Sequence, residues 1–325
     1  MIVRWRLTRH DLALSRPLTT NGDLTRTILL IEVEDKDGVT AFGEASPLPG
    51  LHPEDLDTVC QQINDWFEHQ IQPPASIARF GVESAMLALT AARTGRRPAE
   101  CIRDDPAEDV PLNALVSLTL PTIPPGFLAA KVKVGRRPLR WEIDALRTFQ
   151  AQYPEVTLRL DANRAWDLDT AVSFAKQIAD LNVEYFEEPL RDPHLLDAFF
   201  QKTGCGIGLD ESLNEDRPFP DGARALIIKP TVVGGISAAL QWIGRARQAS
   251  LLPVISASFE SGVGLGILAE IACTIGDGMP AQGLNTDAWF DEDVLNPPLR
   301  HHNGRLRWSG SSPSAHAVAP GSGRG

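Results

Sequence analysis

Between residues 112 and 284 short apolar runs recur, often separated by stretches of helical pattern. They lie at 112–118, 129–134, 156–161, 183–187, 206–210, 225–229, 253–258 and 281–284. Continuous apolar runs of this length suit parallel strands covered on both faces. Eight of them in a β-α rhythm predict a closed (β/α)8-type barrel. One interval is short. About ten residues, Pro121, Pro124 and Pro125 among them, separate the first two runs, so the first barrel helix is expected to be short or missing.

The first hundred residues read instead as α+β. A strand-like stretch at 27–34 is followed by the turn signal Asp37-Gly38 and a second strand at 41–45. Helical spacing marks 54–69 and 79–94, with Val82, Met86 and Leu89 on one face and Gly95 as the stop. The tail from Ser309 is rich in Ser, Pro, Gly and Ala and reads as disordered.

Composition removes several functions. Against 31 Lys plus Arg stand 42 Asp plus Glu, a formal net charge of −11 with no basic run, which argues against a nucleic-acid partner. No apolar stretch reaches the ~18 residues of a membrane span. Arg4 and Arg6 interrupt the start, so it does not read as a secretory signal. Cys60, Cys101, Cys205 and Cys273 are scattered without a CxxC pair, which fits a reducing cytoplasm rather than a disulfide framework. Oligomeric state is left open, a monomer being one option.

The informative residues stand where the apolar runs end. In Ala130-Lys131-Val132-Lys133-Val134, alternation puts both lysines on one strand face. Facing a barrel interior they would need a carboxylate or a function nearby; a solvated edge strand is the other reading. The next three runs end at Asp161, Glu187 and Asp210. Any one of them suits a helix N-cap. Three on consecutive strands, ~4.8 Å apart, would converge and repel unless a cation sits among them. Hard oxygen donors favour Mg²⁺, with Mn²⁺ next. The sixth run ends at Lys229, diametrically opposite Lys133 in an eight-stranded ring. Such a site takes a small carboxylate substrate: the metal holds it, one lysine removes the α-proton, and metal and second lysine stabilise the enediolate. Arg159 shares the face of Asp161, as a site residue or as a partner for carboxylates inside the barrel.

Five segments carry a resemblance: Lys131-Val-Lys-Val-Gly, Leu158-Arg-Leu-Asp-Ala-Asn-Arg-Ala-Trp166, Phe186-Glu-Glu-Pro, Leu209-Asp-Glu-Ser and Ile228-Lys-Pro-Thr. They resemble the enolase superfamily, muconate-lactonising subgroup, for which Lys-plus-Mg²⁺ chemistry is established. The narrower resemblance is to the o-succinylbenzoate synthases. It rests on Phe42-Gly-Glu-Ala-Ser-Pro-Leu-Pro-Gly50, Phe80-Gly-Val-Glu-Ser84 and Val254-Ile-Ser-Ala-Ser-Phe-Glu-Ser-Gly-Val-Gly-Leu265.

The resemblance implies an α/β chain, with a modified (β/α)7β barrel at 106–289 and an α+β capping domain at 1–105. Residues 290–308 would complete the cap, leaving 309–325 as the tail. It implies Mg²⁺ on Asp161, Glu187 and Asp210, Lys133 as base and Lys229 as the opposing cation. Lys131 would lower the pKa of Lys133. Glu188 would point away from Glu187. The implied activity is a lyase of menaquinone biosynthesis, dehydrating 2-succinyl-6-hydroxy-2,4-cyclohexadiene-1-carboxylate to 2-succinylbenzoate. An N-succinylamino acid racemase or a dipeptide epimerase is the alternative, and a barrel kept only for binding a more remote one. Asn163 would support the metal site, or serve only a loop turn. Ser256, Ser258, Gly234 and Gly235 would offer donors to the substrate. Residues 16–26 lie where the family carries a lid.

Overall fold

The computed structural model describes residues 2–18, 23–215 and 217–308. Part of the expected lid (19–22) and the expected tail (309–325) lie outside the described residues.

Three antiparallel strands open the chain, in the order β1 (Ile2–Ala13), β2 (Thr25–Asp35), β3 (Thr40–Glu44). Two helices follow, α1 (Leu56–His69) and α2 (Ser76–Thr94). Leu29, Ile31 and Val33 of β2 pack in the cluster that holds Val59 and Ile63 of α1 and Phe80 and Val82 of α2. Ile28 and Leu30, on the other face, join Phe42, Val263 and Phe290. Both faces are covered, which is why β2 is an almost unbroken apolar run. The Asp55 carboxylate caps α1 by accepting the Thr58 N–H at 2.8 Å. Gly95 ends α2 with φ 63°, as its position suggests. Gly43 and Gly81 let β3 lie close on α2. A Cβ at Gly43 would stand 2.5 Å from Ala85 N, and one at Gly81 2.6 Å from Ala45 Cβ.

After α3 (Pro98–Ile102) and the short β4 (Val110–Pro111) comes the barrel. Its strands are β5 (Asn113–Val116), β6 (Ala129–Lys133), β7 (Thr157–Asp161), β8 (Val183–Glu187), β9 (Ile207–Leu209), β10 (Ala223–Ile228) and β11 (Leu252–Ile255). They pair in sequence order, in parallel. Helices α4 (Leu139–Gln152), α5 (Leu168–Gln177) and α6 (Leu196–Thr203) follow β6, β7 and β8. The short α7 (Pro230–Val233) and α8 (Ile236–Gln248) follow β10, and α9 (Gly262–Cys273) follows β11.

The eighth run, 281–284, is not a strand. It is reduced to two bridges, Leu112 with Gln282 and Ser256 with Gly283. Asn113 N donates to Gln282 O at 2.9 Å and Gly283 N to Ile255 O at 2.8 Å, so two residues close the ring between β5 and β11. Pro253 of β11 has no N–H for a longer ladder. The buried Gln282 side chain serves instead, accepting from Ile255 N at 2.6 Å and donating to Pro253 O at 3.2 Å.

No helix stands between β5 and β6, in line with the proline-rich interval. The returning chain covers this side: Phe127 meets the His301 ring edge-on at 5.4 Å, and β12 (Arg305–Leu306) pairs with β4. Among the described residues no helix is long and apolar enough to cross a membrane.

Two acids, the buried Glu44 and the half-buried Glu83, join the first sheet and its helices to the barrel. Glu44 accepts from Ser261 N (3.0 Å), Ser261 Oγ (2.6 Å) and Gly264 N (2.8 Å) at the start of α9. Glu83 accepts from Ile236 N, Ser237 N (3.2 Å) and Ser237 Oγ (2.8 Å) at the start of α8. A carboxylate at a helix N-terminus satisfies orphan donors and favours the dipole.

Beside Glu44 lies Glu260. Burial and the Glu44 charge push its carboxyl up to about 7, against the pull of backbone N–H groups and Arg26. A folded pKa above the unfolded one means that the folded chain holds this proton more tightly. The associated stability is full below about pH 4 and is lost as pH rises through about 7. Glu260→Gln is therefore expected to raise Tm relative to the parent more at pH 8 than at pH 5, with a ceiling of about 3 kcal/mol. An equal Tm difference at both pH values would contradict this.

Candidate active site

Strand register brings the charged residues together. Lys133 pairs with Asp161 across β6 and β7, and Asp161 with Glu187 across β7 and β8. These three therefore form one row at the C-terminal ends of adjacent strands, the face where barrel sites are built. Lys131, two residues earlier on the same face, reaches up into the row. Its Nζ lies 2.6 Å from Glu187 Oε1 and 2.9 Å from Asp161 Oδ2. Lys133 Nζ lies 2.7 Å from Asp161 Oδ2 and donates to Asn163 Oδ1 at 2.6 Å. Asn163 in turn donates its N–H to Asp161 Oδ1 at 3.0 Å, with φ 45°. Lys229, just past β10, is bound to Asp210, just past β9.

Asp161, Glu187 and Asp210 are all buried. Of the lysines, Lys133 is the most open, its side chain 41% exposed against 13% for Lys131 and 16% for Lys229. Burial disfavours the Lys131 ammonium, but Asp161, Glu187 and Asp210 outweigh it and hold its pKa well above the usual lysine value. Lys229 is raised in the same way: burial and the Lys131 charge oppose its ammonium, while Asp210 and Glu187 favour it. Asp161 is held below the ordinary carboxylate range by Lys131 and Lys133 despite its burial. Glu187 is raised, by burial and by the Asp161 and Asp210 charges, with Lys131 and Lys229 opposing. These causes link the ends of β6 through β10, so the six side chains form one electrostatic cluster.

The cluster has donor atoms to spare. Glu187 Oε2 is buried without a hydrogen-bond partner. Asp161 Oδ2 is held by ion pairs with Lys131 and Lys133. An unpartnered buried carboxylate oxygen such as Glu187 Oε2 is costly and calls for a cation. Asp161, Glu187 and Asp210 thus fit a hard divalent ion in donor type. Among the described residues, no group of three His, Cys, Asp or Glu side chains is already drawn together as a metal cage. The lysine amines hold the carboxylates instead.

The remaining expected contacts fare differently. Arg159 is 2% exposed and lies one layer below Asp161. Its Nε donates to Glu184 at 2.8 Å, and its Nη1 to Asn113 at 3.1 Å and to Ala281 O at 2.5 Å. The structure places it in the packed interior, not among groups open to a substrate, because alternation fixes a side chain's face but not its depth. Arg159→Met would leave Glu184 and Asn113 short of a partner. It is expected to cost about 3 kcal/mol of stability, read by urea unfolding; a loss below about 1 kcal/mol would contradict this.

Gly234 and Gly235, at φ 116° and 94°, lie against Arg79 and Glu83 of α2, and a Cβ on Gly235 would run into the Glu83 carboxylate. Their neighbourhood is thus occupied by the chain's own first domain. Ser256 and Ser258 lie beyond the end of β11 rather than within it. Ser256 bridges Gly283, and the Ser258 hydroxyl shares a 3.0 Å hydrogen bond with Thr231.

Sequence reasoning gave no role to Glu188, Arg164 or His52. Glu188 does point away from Glu187, and is fully buried. The signal for it was its position directly after Glu187. His52 is buried on the loop after β3. Its Nδ1 accepts from Leu48 N at 2.9 Å, and burial, Arg26 and Lys229 lower its pKa to about 4.

Residues 123–323 match the family model described as Enolase C-terminal domain-like. The chain belongs to the enolase superfamily. Two curated members resemble it over most of their length, both named o-succinylbenzoate synthase. That of Vibrio cholerae serotype O1 (strain M66-2) is 34% identical over 317 residues, 90% of this chain and 91% of its own. That of Yersinia pseudotuberculosis serotype O:1b (strain IP 31758) is 31% identical over 290 residues, 84% of this chain and 86% of its own. Solved superfamily structures share the fold at lower identity. Muconate lactonizing enzyme from Pseudomonas fluorescens superposes with a TM-score of 0.81 at 19% identity, covering 96% of this chain and 95% of its own. The L-Ala-D/L-Glu epimerase from Bacillus subtilis does so with 0.81 at 18%, covering 98% of each.

Proposed function

We propose that this superfamily member is an o-succinylbenzoate synthase, a lyase that removes water from 2-succinyl-6-hydroxy-2,4-cyclohexadiene-1-carboxylate. The observation that carries the chemistry is the row Lys133–Asp161–Glu187, with Lys229 on Asp210 four strands round the ring. The substrate class follows the relatives, at 31% and 34% identity. A cytoplasmic location belongs to the same reading, and the four free cysteines suit it. So does a division of the chain near residue 105 into cap and barrel.

Asp161, Glu187 and Asp210 are the residues that would hold Mg²⁺, or Mn²⁺ in its place. Bound there, the ion supplies positive charge that anchors a carboxylate and offsets the negative charge developing on it. The protein's own groups do the rest. Lys133, the most open amine, takes the proton from the carbon beside the substrate carboxylate as its neutral form. Lys131 remains an ammonium between Asp161 and Glu187, a fixed positive charge beside the base. Lys229, kept protonated by Asp210, stabilises negative charge from the opposite wall. The C–O bond to the hydroxyl then breaks. Lys133 returns its proton to the departing oxygen, and water leaves as the ring becomes aromatic. Proton and electron count balance with one base.

A direct assay tests this. Purified protein with Mg²⁺ and the cyclohexadiene substrate is expected to form 2-succinylbenzoate. Racemisation needs acid and base on both faces, so N-succinyl amino acids in D₂O probe the alternative. Fast α-deuteration with weak dehydration would replace this proposal with the racemase.

A further inference from the structure

Resting on the metal reading above, we infer that Glu188 is a positioning residue that holds Asp210 and the turn after it in place. It is fully buried, and its carboxylate bonds to Asp210, Ser212 and Arg164 rather than to the lysines. All its acceptor capacity is used. Oε1 accepts from the backbone N–H of Asp210 at 3.0 Å and of Ser212 at 2.8 Å. Oε2 accepts from Ser212 Oγ at 2.9 Å and from Arg164 Nε at 3.0 Å. Arg164 extends the clamp to Ser212 Oγ (2.9 Å) and Glu215 (2.7 Å).

The main chain is tied as well. Arg164 N donates to Glu188 O at 2.7 Å, and Glu188 N to Gly208 O at 3.0 Å. One residue therefore joins the ends of three strands, each of which carries one carboxylate of the site. Glu188 and Arg164 adopt φ 40° and 59°, a left-handed conformation unfavourable for both. Such backbone persists only where surrounding bonds over-determine it, and it gathers where geometry matters. Partners behind a metal ligand orient it much as ligands orient the metal.

Glu188→Gln keeps the shape but has one acceptor oxygen where two are needed. Two readouts separate positioning from bulk stability. Mn²⁺ binding without substrate, followed by electron paramagnetic resonance, is expected to weaken about 10–100-fold. Backbone amide exchange at Asp210 and Ser212 is expected to accelerate, while the rest of the barrel exchanges as in the parent. Excess Mg²⁺ should restore dehydration towards the parental rate. Should Glu188→Gln fail to fold, Ser212→Ala removes one bond to the same carboxylate, and about a three- to tenfold weaker Mn²⁺ affinity is expected.

Unchanged Mn²⁺ affinity in the folded variant overturns the inference, whatever the amides do. If the parent itself binds no Mn²⁺, the metal reading fails. Amide exchange at Asp210 and Ser212 then decides alone whether Glu188 holds the turn, and unaltered exchange overturns it.

Discussion

Lys133→Ala is expected to lower kcat for the dehydration by about 10²–10⁴-fold, the usual share of a positioned proton acceptor. No neighbour can replace it. Lys131 is pinned between Asp161 and Glu187 and holds its proton well above the usual lysine range. Lys229 is bound to Asp210 and likewise raised. The fold should survive, because Asp161 keeps Lys131 as a partner and the lost side chain is 41% exposed. Lys133→Arg separates charge from basicity, since a guanidinium keeps its proton in proteins. Both variants should be inactive with near-parental circular dichroism. An arginine variant at parental rate would remove Lys133 as the base.

Withdrawal of divalent metal is expected to have an effect at least as large. Dialysis against EDTA should reduce turnover by about 10³-fold or more, and added Mg²⁺ should restore it. The cause is visible in the cluster: the buried Glu187 Oε2 lacks a hydrogen-bond partner. Calorimetry gives a second readout. Metal at a hundred times its Kd should stabilise the chain by about 2.7 kcal/mol. The gain should vanish in Asp210→Ala, whose side chain would be one of the ligands. Full activity in excess chelator, with no change in Tm on adding Mg²⁺, would end the metal reading.

The site's charged residues were legible because each stands at the end of an apolar run. Run ends mark the barrel's mouth, and alternation supplies the face. The depth of a residue within that face was not legible. Arg159 and Asp161 share a side, yet the first is bound by Glu184, Asn113 and Ala281 inside the barrel. Partners distant in sequence were equally hidden. Nothing around Gly234-Gly235 announces that Glu83, some 150 residues earlier, fills the adjoining helix terminus.

The fold shows the same division. The β-α rhythm and the proline-rich gap foretold the barrel and its missing helix. The eighth run, Ala281-Gln-Gly-Leu284, suited a strand by its place in the β-α rhythm. Pro253 opposite removes a ladder donor, and a glutamine side chain takes over. β1 escaped notice because Arg4, Arg6 and Arg9 break its apolar pattern, and its order comes from pairing along β2.

The acids Glu44 and Glu83 bear on how this chain could be recombined with its relatives. A first domain transplanted without glutamates at these points would leave the amide protons of the buried Ser261, Gly264 and Ile236 without these acceptors. Chimeras of the two halves should therefore succeed only when the donor sequence brings its own acids to the same two helix starts.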